Sequence, residues 1–403
     1  MAKHEAGRLH VIAPDRNEHG DEIVDLTAKV FSEPSGYYAM RPDIGYHLFE
    51  QGCDWGVSRI GVLDGRIVTH WAVIDYTMRI GTARVRVGGV TCVVTHPDYR
   101  KRGLMRRTGL ASMAAMRDAG YDLTMLFGIP DYYDRYGYVN AWPDTTYTIK
   151  TRDLPAKGPA VRLRPFSPKD LDELTKLYNR TYARCTGTAV RSKFPRSHRK
   201  PHWKGRFWQE SGRPAGYVVT HVRGDTLTCR GHTGDANVVL GLLRKLAGKA
   251  KCHNVRFHTL HAATSLAARL RRENCRVTSE YTRASHAMIH VLNLRSTLSK
   301  LTKELSRRLK RSPLDGWRGS LLIANPREKV TLVINRGQVR VAPPTRTKHA
   351  IRGDEAIARL LLGSDETDEV IEAGGIRTTG DARTLARVLF PNEHPDLCIL
   401  DSY

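Results

Sequence analysis

Two clusters of residue types in this chain could do chemistry. The first is Val93-Val94-Thr95-His96-Pro97, followed shortly by Arg100-Lys101-Arg102-Gly103-Leu104-Met105-Arg106. Pro97 has no N–H and cannot continue a central strand. The spacing predicts a strand, a basic turn and a helix over residues 104–119, with Gly120 where a helix stop belongs. The chemistry of that geometry is anion binding. Free backbone N–H groups at a helix start converge on one spot, and the helix dipole adds about half a positive charge there. Gly103 lets a bulky anion come close to the backbone. No Gly-Lys-Ser/Thr follows, which excludes the nucleotide-triphosphate loop, and the three glycines of a dinucleotide fingerprint are missing. Taken alone, the stretch reads equally as a surface turn ahead of an amphipathic helix.

The second cluster is Asp131-Tyr132-Tyr133-Asp134-Arg135-Tyr136-Gly137-Tyr138, with four tyrosines in eight residues. Most of such a block packs as aromatic core, and each buried hydroxyl then needs a partner. One phenol also suits acyl transfer. When acetyl passes from a thioester to an amine, the departing thiolate needs a proton.

Together these residues carry a resemblance. Arg100 to Met105 resembles the pyrophosphate loop of GNAT acyltransferases, Gln/Arg-x-x-Gly-x-Gly/Ala after a strand, with Met105 departing from the final small residue. Tyr133-Asp134-Arg135-Tyr136-Gly137-Tyr138 is similar to the Tyr-x-Arg-Phe/Tyr-Gly-Tyr segment of the enhanced-intracellular-survival (Eis) family within that group. The resemblance implies acetyl-CoA as cofactor and an N-acetyltransferase activity. It places the general acid on Tyr133. Cofactor contacts fall on Val93, Val94 and Thr95, on Arg100, Lys101, Arg102, Gly103, Leu104, Met105 and Arg106, and on Gly128 and Ile129. The family usually has Val where Thr95 stands, and polar residues near Gly128 and Ile129.

The elements that must position these residues follow from pattern. A helix is predicted over residues 24–31. Strands follow over residues 55–63 and 66–79 around an Asp64-Gly65 hairpin turn, then over 85–94, 121–127 and 145–149. This is a mixed α/β order, expected to form one sheet in a catalytic domain over residues 1–152. A linker rich in Pro and Gly then leads to residues 160–291. A helix (168–184), a hairpin (215–223 and 226–232), a helix (237–250) and a strand (254–259) repeat the same order there. Gly234-Asp235-Ala236 stands where the basic turn would be, so this unit resembles a degenerate second GNAT domain without a cofactor site. Residues 292–403 read as a long helix, three strands, and helices over 353–362 and 380–389. They resemble the sterol-carrier-protein type domain that closes this family. The expected fold class is therefore α/β (α+β), two GNAT-like domains in tandem plus a sterol-carrier-like α/β domain.

The chain ends Asp401-Ser402-Tyr403. In the family the terminal aromatic residue enters the active site and its α-carboxylate takes the amine proton, a role that falls on Tyr403. Packing for stability is the competing reading of this apolar tail. A free carboxylate is a weak base, with a pKa of roughly 3.5. Burial could raise it and lower that of the ammonium.

Composition bounds the rest. The chain has 403 residues and a formal net charge of +24. That charge attracts anions, and a solvated basic surface outweighs nucleic acid as its reading. The seven cysteines form no C-x-x-C pair, so neither a zinc site nor a disulfide frame is expected, and no metal. No apolar run reaches the ~20 residues of a membrane helix, and a cytoplasmic location is expected. The resemblance implies as acceptor a primary amine of a small molecule, aminoglycoside-like or amino-sugar, or of a peptide lysine. It places an acidic substrate contact on Glu33, and Asp401 and Asp54 are the further candidate carboxylates. The resemblance implies a homo-oligomer, a hexamer. The competing class is a non-enzymatic basic protein that binds nucleic acid or acts as a scaffold.

Overall fold

The computed structural model describes residues 8–32, 37–156, 161–195, 202–282 and 286–402. Glu33 and Tyr403, two of the expected site residues, lie outside the described residues.

Three sheets organise the chain. The first is eight-stranded. Its main path runs His10–Ile12, Arg59–Leu63, Arg66–Ile80, Ala83–Thr95, Leu123–Phe127, Ala287–Val291, Val139–Asn140, and Ala189–Val190 pairs with Arg66–Ile80 off that path. The second, seven-stranded, runs Cys275–Glu280, Asp144–Lys150, Asn254–Phe257, Thr226–Thr233, Arg213–Arg223, Lys204–Glu210, Arg164–Pro165. The third, five-stranded, spans Arg318–Ala324 to Ile376–Thr379. The fold is mixed α/β, with two GNAT-like units in tandem.

The first two sheets trade a strand. Asp144–Lys150, expected to finish the first sheet, lies in the second between Asn254–Phe257 and Cys275–Glu280. Ala287–Val291 lies in the first, between Leu123–Phe127 and Val139–Asn140. Sheet membership therefore crosses the boundaries expected at 152 and 291. Alternation along a strand says which side chains are buried, not which sheet accepts it. Tyr147 and Ile149 bury in the second core, Ile289 and Val291 beneath the first sheet.

The predicted basic-turn helix is Leu104–Asp118. The first helix is longer than expected, Arg16–Phe31, because Asp15 caps it by accepting from the N–H groups of Asn17 and Glu18. A helix at Tyr37–Phe49 was not expected, since it carries Pro42 inside it. Residues 353–356 are not helical; Gly353 ends the strand His349–Gly353, and the helix there is Ile357–Leu362.

The helix Leu294–Lys310 joins the third unit to the first. Leu294, Leu298, Leu301, Leu305 and Leu309 recur at helical spacing and are buried against residues of both the first and the third sheet. Glu304 on this helix is fully buried. It accepts from Thr82 Oγ1 at 2.6 Å on the first sheet's hairpin and pairs with Arg307 and Arg308.

The C-terminal tail crosses the second sheet. Its parallel strands Thr226–Thr233 and Asn254–Phe257 pair only from Thr226 to Cys229, then diverge. The tail fills the gap. Cys398 Sγ lies 3.6 Å from the Arg230 carbonyl, and the Ile399 N–H donates to Thr259 Oγ1 at 3.2 Å. Leu400 packs so tightly on Gly231 that an added Cβ would lie 2.6 Å from its Cδ1. Among the described residues no helix is long and apolar enough to cross a membrane.

Candidate active site

The strand Ala83–Thr95 and its parallel neighbour Leu123–Phe127 pair only at Val87, Gly88 and Gly89. Beyond Gly89 they part: Leu126 and Phe127 keep their partners Met288 and Ala287 on the opposite edge but have none on the strand Ala83–Thr95. Residues 90–95 remain paired on their other side, with Thr69 to Val73. The edge facing the gap can accept an added strand-like ligand. A bulge sharpens the divergence. The register shifts between His70 and Ala72, and opposite that shift Cys92 has φ 49°.

The basic turn closes one end of the gap. Lys101 and Gly103 both have positive φ, 61° and 72°. No side chain caps the helix Leu104–Asp118. An added Cβ at Gly103 would meet nothing within 4 Å, so that glycine answers a backbone conformation and an open approach rather than crowding. Arg100, Lys101, Arg102 and Arg106 are exposed around the turn. Arg100 Nε donates to the Thr95 carbonyl at 3.4 Å, and Arg102 lies over the Tyr99 ring, 5.4 Å from its centroid. Leu104 and Met105 point inward and are buried. Met105 replaces a small residue because it fills the same apolar cluster as Val90, Trp71 and Tyr133.

Tyr133 stands at the far end of the gap. Its ring packs edge-on to Trp71 at 6.0 Å and to Tyr132 at 4.9 Å. It also lies on Gly128, where an added Cβ would sit 3.2 Å from Cδ2. Among the described residues its hydroxyl has no hydrogen-bond partner. Burial, with Tyr132 beside it, pushes the phenol well above its ordinary pKa, so Tyr133 carries its proton at neutral pH. The other tyrosines are structural. Tyr138 Oη is 2.8 Å from Thr124 Oγ1, and Tyr136 packs at 5.2 Å against Trp71. The Gly128 N–H is already used, donating to the His286 carbonyl at 3.1 Å, while Ile129 is exposed.

Two expected acidic contacts are taken. Asp54 accepts from the Tyr121 hydroxyl at 2.7 Å and lies 3.4 Å from Arg86 Nη2. Asp401 is locked to Arg191 at 2.7 Å. Neither is a free carboxylate for an amine, because each offsets a cation of the fold. Ser402, the last described residue, is held through its carbonyl by Gln51 Nε2 at 3.3 Å. Gln51 and Asp401 belong to one cleft of about 290 Å³, together with Tyr46, Asp75, Tyr76 and Lys193.

Sequence reasoning missed Trp71, Arg191 and Gln51. Trp71 left a faint signal, an aromatic in mid-strand whose bulk requires Gly109 opposite, where an added Cβ would lie 2.7 Å from the ring. Arg191 and Gln51 left none, since their partners lie far along the chain.

Residues 13–141 match a family model described as Acetyltransferase (GNAT) domain. No curated protein matches the chain. Among solved structures it is similar to a GCN5-related N-acetyltransferase from Kribbella flavida, at 16% identity, 99% of each chain covered and a TM-score of 0.74. It is also similar to one from Anabaena variabilis, at 15% identity, with 97% of this chain and 99% of that one covered and a TM-score of 0.75. Eis1 from Mycobacterium abscessus is 17% identical over 96% of this chain and 98% of its own, with a TM-score of 0.68. The chain carries a GNAT acetyltransferase domain; it is an N-acetyltransferase, and its cofactor is acetyl-CoA.

Proposed function

We propose that this chain moves acetyl from acetyl-CoA to a primary amine of a small molecule or of a lysine, by direct attack, in the manner of the Eis family. The observation that carries the reading is the Tyr133 hydroxyl, protonated and unpartnered among the described residues, at the end of the gap between the two parting strands. Acetyl-CoA supplies the activated acetyl thioester. The uncapped helix start at Leu104 and the cations Arg100, Lys101 and Arg102 hold the pyrophosphate. Val93, Val94 and Thr95 offer backbone groups to the pantetheine amides, and Leu104, Met105 and Arg106 contribute main-chain N–H groups.

Tyr133 holds its proton at Oη until the C–S bond breaks, then gives it to the departing thiolate. The desolvation that raises the phenol acts on a thiol in the same gap, so the two stay matched. The α-carboxylate of Tyr403 takes the proton of the attacking amine as the N–C bond forms. Support for that role is the anchoring of Ser402 by Gln51 beside a cleft. The third unit is read as sterol-carrier-like, the assembly as a homo-hexamer and the location as cytoplasmic, all by resemblance. Glu33 is kept as an acceptor contact on the same ground.

The test is thiol release from acetyl-CoA with polyamines, aminoglycosides, amino-sugars and basic peptides. Wild type is compared with Tyr133→Phe and with a chain lacking Tyr403. Losses of ~10²-fold or more in both variants, with acetyl-CoA affinity retained, support the mechanism. Full turnover in either variant removes that residue from it.

A further inference from the structure

We propose that His290 is a positioning residue for acetyl transfer: it ties the Gly137 carbonyl to Arg327 and Glu355 of the third unit, and so fixes the turn that carries Tyr133. The proposal rests on Tyr133 as the acid and deepens that reading by naming what holds the acid in place.

The turn is closed from outside itself. Tyr133 leads into the 3-10 turn Asp134–Tyr136, which stops at Gly137 with φ 85°. The Tyr133 carbonyl accepts from the N–H groups of Tyr136 at 3.0 Å and Tyr138 at 3.4 Å, so the acid and the end of the turn share one set of backbone bonds. An added Cβ on Gly137 would lie 3.0 Å from both His290 Nδ1 and Glu355 Oε1. The residue that ends the turn is therefore packed against groups more than 150 positions further along the chain.

His290 belongs to the strand Ala287–Val291 and is fully buried. Its Nδ1 lies 2.8 Å from the Gly137 carbonyl oxygen and 3.2 Å from Glu355 Oε2. Its Nε2 lies 2.8 Å from Arg327 Nη1. Both neighbours of Nδ1 are acceptors, and a guanidinium can only donate. These partners assign a neutral imidazole with its proton on Nδ1. Arg327 selects that tautomer, since the other would turn a lone pair towards the Gly137 carbonyl. Arg327 also donates to Glu355 Oε1 at 3.2 Å, which closes a ring of three side chains. Local turns hold both partners: Asn325 Oδ1 accepts from the Arg327 N–H at 3.0 Å, and Asp354 Oδ1 accepts from the Ala356 N–H at 2.8 Å.

The same strand also backs the ring of the acid. The His290 ring lies 5.8 Å from that of Tyr138, which lies 6.1 Å from that of Tyr133. Met288, two residues earlier on the same face, meets Tyr133 across Gly128. An added Cβ there would lie 2.5 Å from Met288 Sδ and 3.2 Å from Tyr133 Cδ2. His290 thus acts through Tyr133, by holding its backbone turn and its aromatic neighbour.

The test measures thiol release from acetyl-CoA with the fastest acceptor of the panel above, and by slow hydrolysis in water should none turn over. Wild type is compared with His290→Phe, Arg327→Ala, Arg327→Lys, Tyr133→Phe and the double variant Tyr133→Phe with His290→Phe, and thermal unfolding is recorded for each. Arg327 is exposed, so Arg327→Ala should fold and carries the test even where His290→Phe does not. Expected in His290→Phe and Arg327→Ala is a kcat lower by about tenfold or more at unchanged acetyl-CoA KM. Arg327→Lys, which keeps a donor for Nε2, should restore most of it. Adding His290→Phe to Tyr133→Phe should cost nothing further, whereas a merely structural role would lower kcat by the same factor in both backgrounds. Wild-type kcat in Arg327→Ala or in folded His290→Phe, or equal losses in both backgrounds, overturns the proposal and leaves Tyr133 as the acid. Full turnover in Tyr133→Phe overturns the acid and this proposal with it.

Discussion

Arg191 and Asp401 are 210 residues apart in sequence and meet in a two-pronged ion pair, with Nε to Oδ1 at 2.7 Å and Nη2 to Oδ2 at 2.9 Å. Their side chains are 2% and 6% exposed. The guanidinium also stacks on the Tyr178 ring, 3.4 Å from its centroid, and Tyr178 Oη donates to Asp401 Oδ2 at 3.1 Å. This lock sits at the end of the described tail and fixes the position of Asp401 beside Ser402.

Breaking the lock from one side strands a buried charge. Arg191→Ala should destabilise the protein by about 3–5 kcal/mol, measured by denaturant unfolding. Replacing both partners, Arg191→Met with Asp401→Leu, should recover most of that stability. On the proposed mechanism the double variant should still turn over slowly, at unchanged acetyl-CoA KM, because the tail is no longer in register. A double variant that is both stable and fully active would deny the tail a part in catalysis.

Tyr133→Phe removes one hydroxyl that nothing described in the fold uses. Unfolding stability should change by less than about 1 kcal/mol, and kcat should fall ~10²–10⁴-fold. The pH profile adds a check with a definite sign. Because the Tyr133 pKa is raised, its protonated form persists above the ordinary phenol range near 10. The wild-type rate should therefore show no alkaline decline from this group below about pH 10. A decline centred near neutrality would place the acid elsewhere.

Gly103 separates backbone from side-chain effects. Its φ of 72° with open space above it makes Gly103→Asn tolerable and Gly103→Val strained. Acetyl-CoA affinity should drop much further in the valine variant than in the asparagine one. Equal losses would mean that crowding of the ligand, not backbone strain, governs the turn.

Glu304 predicts acid sensitivity at the contact between the first and third units. Burial pushes its carboxyl up, yet hydrogen bonds from Arg307 and Thr82 and the charge of Arg308 outweigh this and hold it at about 2. The folded value lies below the unfolded one of about 4.3. Its stabilisation is therefore complete above that pH and is lost as pH falls towards 2. Glu304→Gln should lower stability at pH 7 by roughly 2–4 kcal/mol and flatten the acid limb of the stability curve. An unchanged acid limb would show that other carboxylates dominate it.

The sequence by itself determined what is local. The strand, basic turn and helix from Ala83 to Asp118 are continuous in the chain, and Pro97, Gly103 and Gly120 punctuate them through backbone sterics that need no tertiary partner. The tyrosine segment was legible for the same reason, since its 3-10 turn at Asp134–Tyr136 closes on Gly137 with φ 85°. Most strands and helices of the second and third units were also legible, because period-2 and helical burial patterns report which face is covered. Partner choice over long separations was not. Asp144–Lys150 and Ala287–Val291 each alternate well enough for either sheet, and only packing against Val255 and Phe257, or against Met125, decided their exchange. Met105 breaks the expected loop pattern and made sense only once its side chain was seen against Tyr133. The tail's course through the second sheet and the Arg191–Asp401 lock depend on groups that are brought together after the domains have packed. Charge and apolarity in the sequence set what must be buried or paired, and tertiary structure chose the partners.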